Sequence, residues 1–269
     1  MSDGIHDLFV YLLVDNGLLD EVSASYTEDA PASRPSWLAP IYPANALAVS
    51  PLLIDLAAAY EAGDLDLVMT YVNARKPALH MSIIETQLGL EQIAQHLRRF
   101  IFIVSPEGKQ FTLRYADCAV LASLSSVLTP TQWATMKRPI SRWDVHDRRG
   151  TLVQLPMAEL PSHVPPPLHL DHDQLAALDE ASEPDHFIAK VKTMRNGGDL
   201  PGSATEQYAW ALEARKTWRA RDNTNPLILL FLTEAALASA GKALRNPEVR
   251  DALTTNEVSA FRNRLRDLI

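Results

Sequence analysis

Three groups of side chains in this sequence have the types and spacing that chemistry requires. His169, Asp171, His172 and Asp173 (HLDHD), and Asp144, His146 and Asp147 (WDVHD), combine imidazole with carboxylate, the donor set of zinc sites and of general acid–base pairs. Spacings of one to three residues on an extended chain rarely turn every donor toward one ion without distant ligands, and no HExxH motif accompanies them. A polar helix start capped by Asp171 accounts for the first cluster, and a solvated loop or strand end for the second. The third group is cationic. Arg98 and Arg99 close a segment with one apolar face, where cations favour the helix C-terminus. Arg114 alternates with core-facing residues, which places it to pair with an acid or to contact a partner.

Other catalytic signatures are missing. The sequence has no GxSxG nucleophile elbow, no GxGxxG and no Walker-type loop, and its ten glycines leave little for phosphate cradles. Cys118 stands alone before an apolar helix, where a small buried residue explains it more simply than a thiolate does. Asp64 and Asp66 sit at a helix start, where acids favour the positive end of the dipole. No catalytic, metal-ligating or cofactor-binding residue is assigned, so the expectation is a protein that is not an enzyme and needs no cofactor.

Composition narrows the class. The 269 residues are 47 % apolar and 22 % charged, ordinary for a chain able to bury a real core. A formal net charge of −8 argues against generic nucleic-acid binding, which needs excess Lys and Arg. The single cysteine rules out an internal disulfide and argues against a Cys-based zinc site. The N-terminus lacks a basic region and carries Asp3 and Asp7, unlike a secretory signal. The longest apolar run, residues 226–241, is short for a bilayer span and contains Glu234. A soluble, cytoplasmic protein with no membrane partner is expected.

The elements that must position these residues read as follows. Residues 8–14 (LFVYLLV) form a continuous apolar run closed by Asp15-Asn16-Gly17, a buried strand meeting a turn. Residues 23–43 are Ser-, Ala- and Pro-rich and read as irregular. Residues 46–55 suggest a strand interrupted by Pro51, which favours an edge or a bulge. Residues 63–75 and 90–99 carry helical apolar faces, and 79–84 reads as a strand. A hairpin is predicted over 100–115, turning at Pro106-Glu107-Gly108, with Phe111, Leu113 and Tyr115 toward the core. Asp117 is placed to cap a helix over 118–127, and Thr129-Pro130 opens the next one. Residues 139–145 and 151–155 suggest a final strand pair.

Composition then changes. Residues 156–170 hold Pro156, Pro161, Pro165, Pro166 and Pro167, a stiff connector. Beyond it the chain reads as helices over 171–180, 185–195, 204–221, 226–243 and 256–268. The predicted architecture is an α/β domain over 1–155 (a mixed sheet with flanking helices), the connector at 156–170, and an all-α region over 171–269.

Four stretches together resemble a known family: YLLVD at 11–15, HLRRF at 96–100, EGKQFTLRYADCAVL at 107–121 and LTPTQW at 128–133. In that order they are similar to the adaptor domain of bacterial type VI secretion, whose members are called effector chaperones or adaptors (Tap or TEC proteins), a domain long labelled only as one of unknown function. Leu97, Arg98, Arg99 and Phe100 match one centre of the family pattern; Arg114, Tyr115, Asp117, Val120 and Leu121 match a second; Leu128, Thr129, Pro130 and Gln132 match a third. Cys118 stands where the family usually has proline, and residues 81–85 (MSIIE) lack the small-residue start often seen there. The likeness covers roughly residues 8–143.

The resemblance implies a non-enzymatic role: binding a toxin effector in the cytoplasm and helping load it onto the spike protein VgrG. On that reading the α/β part is a platform and the helical part cradles an effector segment by helix-in-groove packing. The candidate partner-binding residues are Arg98, Arg99 and Arg114, with Tyr208, Trp210 and Trp218 on one helix and Leu229 and Phe231 on the next. Packing into a helical core is the other role open to these helices. Two alternatives come from other classes: a metal-dependent hydrolase using His146, His169 or His172 with a nearby Asp, and an immunity protein that neutralises a toxin.

Overall fold

The computed structural model describes residues 8–19, 34–157 and 164–268. The signal-sequence reading rests on residues outside these (1–7), as does much of the irregular stretch at 23–43 (through 33) and part of the proline-rich connector (158–163). The chain divides into two compact units, Met1–Leu178 and Asp179–Ile269. The first is α/β and the second is helical, which is the predicted fold class.

Unit 1 is built on a six-stranded sheet in the order β2-β3-β1-β4-β7-β8. Its strands are β1 (Phe9–Val14), β2 (Leu38–Pro40), β3 (Leu52–Asp55), β4 (Met81–Thr86), β7 (Ile140–His146) and β8 (Leu152–Gln154), and every neighbouring pair is antiparallel. Side chains alternate across a strand, and over Tyr11–Val14 both faces of β1 are covered, which accounts for the apolar run there; Phe9 and Val10 at its start are exposed. Tyr11 and Leu13 enter one cluster with Leu53, Ile84 and Trp143, while Leu12 and Val14 enter another with Ile54 and Met81. The first cluster is closed by α3 (Leu90–Arg98), α4 (Cys118–Val127) and α5 (Pro130–Lys137) through Ile93, Leu97, Leu121 and Met136. The second is closed by α1 (Leu56–Glu61) and α2 (Leu65–Val72) through Ala59, Val68 and Tyr71.

A smaller sheet in the order β6-β5-β9 joins β5 (Phe102–Val104) to β6 (Gln110–Thr112) antiparallel and to β9 (Leu168–His169) parallel. The large sheet is therefore antiparallel throughout, and the parallel pairing belongs to the small one.

Three local expectations are corrected. Residues 44–49 form 3-10 turns rather than strand, and β3 begins only after Pro51, inside the sheet between β2 and β1. A proline immediately before a strand costs no ladder bond, and the Pro51 carbonyl accepts from the Ile41 amide at 2.9 Å. Leu113 and Tyr115 are buried as predicted, whereas Phe111 is 49 % exposed because nothing in the described residues covers that end of the hairpin. Residues 171–180 and 185–195 are joined in one helix, α6 (His172–Met194), with Pro184 inside it.

The unit division falls within α6. In unit 2, α6 is followed by α7 (Ala204–Arg219), α8 (Pro226–Ala238), α9 (Pro247–Ala252) and α10 (Val258–Leu268). Ser203, Asn225 and Asn246 cap α7, α8 and α9 through side-chain oxygens that accept from first-turn amides. Among the described residues no helix is long and apolar enough to cross a membrane.

Candidate partner-binding surface

The arginines of HLRRF are separated by the helix that carries them. Gln92 Oε1 accepts from the Gly89 amide at 3.0 Å and starts α3; its last turn then carries His96 and Arg98, with Arg99 at the C-cap. Arg98 Nη1 meets Glu91 Oε1 at 2.6 Å, and its Nη2 donates to the Pro40 carbonyl at 2.9 Å, tying α3 to β2. Arg98 is thus held by the fold. Arg99 is exposed and has no carboxylate partner among the described residues.

Arg99 lines a cleft of about 220 Å³ together with His96, Thr135, Arg138 and Pro139. The second wall comes from α5, which Thr129 opens through a capping box with Gln132 and whose C-cap is Arg138. Arg138 is exposed and likewise has no acid beside it among the described residues. The His96 ring lies 2.7 Å from the Met136 carbonyl through Nε2. A carbonyl only accepts, so Nε2 carries the proton. Burial holds His96 below the usual imidazole range; the Met136 bond opposes that shift and the Arg99 charge adds to it. The walls thus carry two guanidiniums with no acid beside them among the described residues, and a neutral ring. Next along α5, Lys137 is buried: its Nζ donates to the carbonyls of Leu155 at 3.2 Å and Pro156 at 2.8 Å. Burial lowers its pKa, against the pull of Asp144.

Arg114 has a different setting. Asp15 follows β1, its carboxylate is only 5 % exposed, and Arg114 Nη2 donates to its Oδ2 at 2.8 Å. Burial works against the Arg114 cation, but Asp15 outweighs it and holds the pKa above the ordinary arginine value. Tyr42 is close enough that burial, and then the Asp15 charge, push its phenol up. Asp117 caps α4 as predicted, accepting from the Ala119 amide at 2.9 Å.

The His and Asp clusters do not converge. His146 Nδ1 lies 3.3 Å from the Met81 carbonyl, and Asp144 pairs with Arg142 at 2.8 Å. Asp147 accepts from the amides of Arg149 and Thr151 and shapes the β7–β8 turn. His172 faces Glu107 at 3.6 Å, and Asp171 caps α6 by accepting from the Gln174 amide at 2.8 Å. Among the described residues no group of three or more His, Cys, Asp or Glu side chains is arranged to hold a metal. Cys118 is buried, donates to the Met81 carbonyl, and has its thiol pushed up to about 12 chiefly by burial.

The aromatic candidates of unit 2 pack inward. Trp210 belongs to two apolar clusters, one with Ala214, Ile228 and Phe261, the other with Ile188, Val191 and Leu237. Gly202 and Gly241, both at positive φ, lie against its indole; a Cβ there would come within 2.6 Å and 2.7 Å of the ring. Tyr208 Oη donates to the Ala181 carbonyl at 3.2 Å, and Trp218 Nε1 to Asn223 Oδ1 at 2.9 Å. Phe231 is partly buried and carries the Arg262 guanidinium over its ring at 5.0 Å, and Leu229 is buried.

Asp15 as an ion-pair acceptor, and His96, Lys137 and Arg138 beside Arg99, owe their settings to residues distant in sequence. The run MKRP at 136–139 carries a visible signal, two cations ending a helix, but its meeting with Arg99 depends on tertiary placement.

Residues 10–135 match the family model described as "Domain of unknown function (DUF4123)", a span somewhat shorter than half the chain that runs from β1 into α5. No curated protein and no solved structure matches the chain.

Proposed function

We propose that this protein is a non-enzymatic adaptor of bacterial type VI secretion, acting in the cytoplasm, that binds a cognate toxin effector and helps load it onto the VgrG spike. The observation that carries this reading is a coincidence in position. All four stretches that resemble the adaptor domain lie inside residues 10–135, the span matched by a family known in type VI secretion adaptors. The settings of the reactive side chains support it. Cys118 and His146 both bond the Met81 carbonyl and so tie the start of α4 and the end of β7 to β4, while Asp144 is held by Arg142 on its own strand, as a platform requires. The test is co-expression of the tagged chain with a candidate toxin whose gene adjoins its own. The toxin is retained on the tag and keeps its toxic activity once released. A chain that holds neither toxin nor VgrG contradicts the reading, and one that abolishes the toxin's activity favours an immunity protein.

A further inference from the structure

The cleft formed by His96, Arg99, Thr135, Arg138 and Pro139 holds cations that the fold places at helix ends without pairing them to an acid among the described residues. In a chain of net charge −8, it brings two guanidiniums to one concavity, and neither has an acidic partner among the described residues. Arg98 and Arg114, by contrast, are engaged by Glu91 and Asp15. Guanidinium forks match carboxylate and phosphate geometry, so the ligand is an oxyanion, and the surroundings choose between the two. Arg99 and Arg138 are the C-caps of α3 and α5. Helix C-termini present carbonyl oxygens and a partial negative charge, the reverse of the amide cradle that holds a phosphate. A dianion is disfavoured there and a singly charged carboxylate is tolerated. The ring of Pro139 and the neutral His96 ring add apolar wall.

We propose that this cleft binds the carboxylate of a Glu or Asp side chain flanked by apolar residues in a segment of a partner protein. The inference deepens the adaptor reading, since it names the chemistry of the segment docked.

The test needs no toxin. A fluorescent peptide with alternating Leu and Glu is titrated into the full chain by anisotropy, beside its Gln-for-Glu counterpart and inorganic phosphate as competitor. The Glu peptide binds; the Gln peptide, and the Glu peptide with the Arg99→Ala/Arg138→Ala double variant, bind at least about tenfold more weakly. Circular dichroism of the double variant matches that of the unchanged chain. Phosphate at about 1 mM competes weakly. Equal binding of the Glu and Gln peptides, undiminished binding by the double variant, or no binding of the Glu peptide at about 1 mM overturns the proposal. Full displacement by phosphate overturns it in favour of a phosphate site. Toxin capture is scored separately with the same variant. Capture by both forms alongside peptide failure removes the cleft and keeps the adaptor; peptide binding without toxin capture does the reverse.

Discussion

Arg114 and Arg99 come from one short stretch of sequence and meet opposite surroundings. Arg114 lies against a buried carboxylate at the end of β1, whereas Arg99 shares an open cleft with Arg138 and, among the described residues, no acid. Lys137, one residue before Arg138, has a third setting, buried among backbone carbonyls. A cation's role is therefore set by what the fold places opposite it. Arg114 and Lys137 are engaged by the fold, and Arg99 and Arg138 have no acid beside them among the described residues.

That contrast is broken or sharpened by substitution. Arg114→Ala leaves the Asp15 carboxylate buried without its partner, and is expected to cost about 2 to 4 kcal/mol in urea unfolding, reduced from a fully buried pair because Arg114 is half exposed. Adding Asp15→Asn recovers part of that loss; a wild-type midpoint for Arg114→Ala would show that the pair does not hold the β1 end. Lys137→Met removes the ammonium that donates to the Leu155 and Pro156 carbonyls at similar volume, leaving Pro156 only the Trp133 indole at 3.1 Å, with an expected loss of about 1 to 3 kcal/mol by the same assay.

Acid gives a smaller effect of defined sign. His80, buried and bonded to the Tyr71 carbonyl, and His96 both have folded pKa values below the usual imidazole range. Burial is the main cause for each; Arg75 and His146 add to it at His80 against Asp15, and Arg99 adds to it at His96. The unfolded chain takes up these protons near pH ~6.5 and the folded chain only at lower pH. Stability is therefore expected to fall as pH drops from about 7 through 6, and a melting temperature flat over that window would contradict the neutral-imidazole assignment. The smallest change is expected at Arg99→Ala and Arg138→Ala, each within about 0.5 kcal/mol of the unchanged chain by urea unfolding. A larger loss at either would place that cation with Arg114 rather than with a free site.

Local signals carried much of the fold. The continuous apolar run of β1, the caps at Asp117, Thr129 and Asp171, and the apolar face of α3 are properties of short segments, and all appear where they were predicted. What was not legible depends on partners distant in sequence. The single α6 crosses Pro184, with Glu180 and Glu183 paired to Arg215 and the Ala181 carbonyl bonded by Tyr208, all from α7. Alternation placed Phe111 on a face but could not say whether that face is covered. Asp15 and Arg114 are 99 residues apart, and nothing local to either names the other. For the candidate site, Arg99 was visible as a helix-end cation, and Arg138 became its neighbour only in three dimensions.

The central claim, an adaptor that delivers a toxin, is tested most directly in a type VI-competent bacterium that carries this gene. Deleting this gene alone and measuring the neighbouring toxin in the secreted fraction is predicted to abolish its delivery while other type VI cargo is still released, with delivery restored by the unchanged chain. Undiminished secretion of that toxin in the deletion strain would contradict the account.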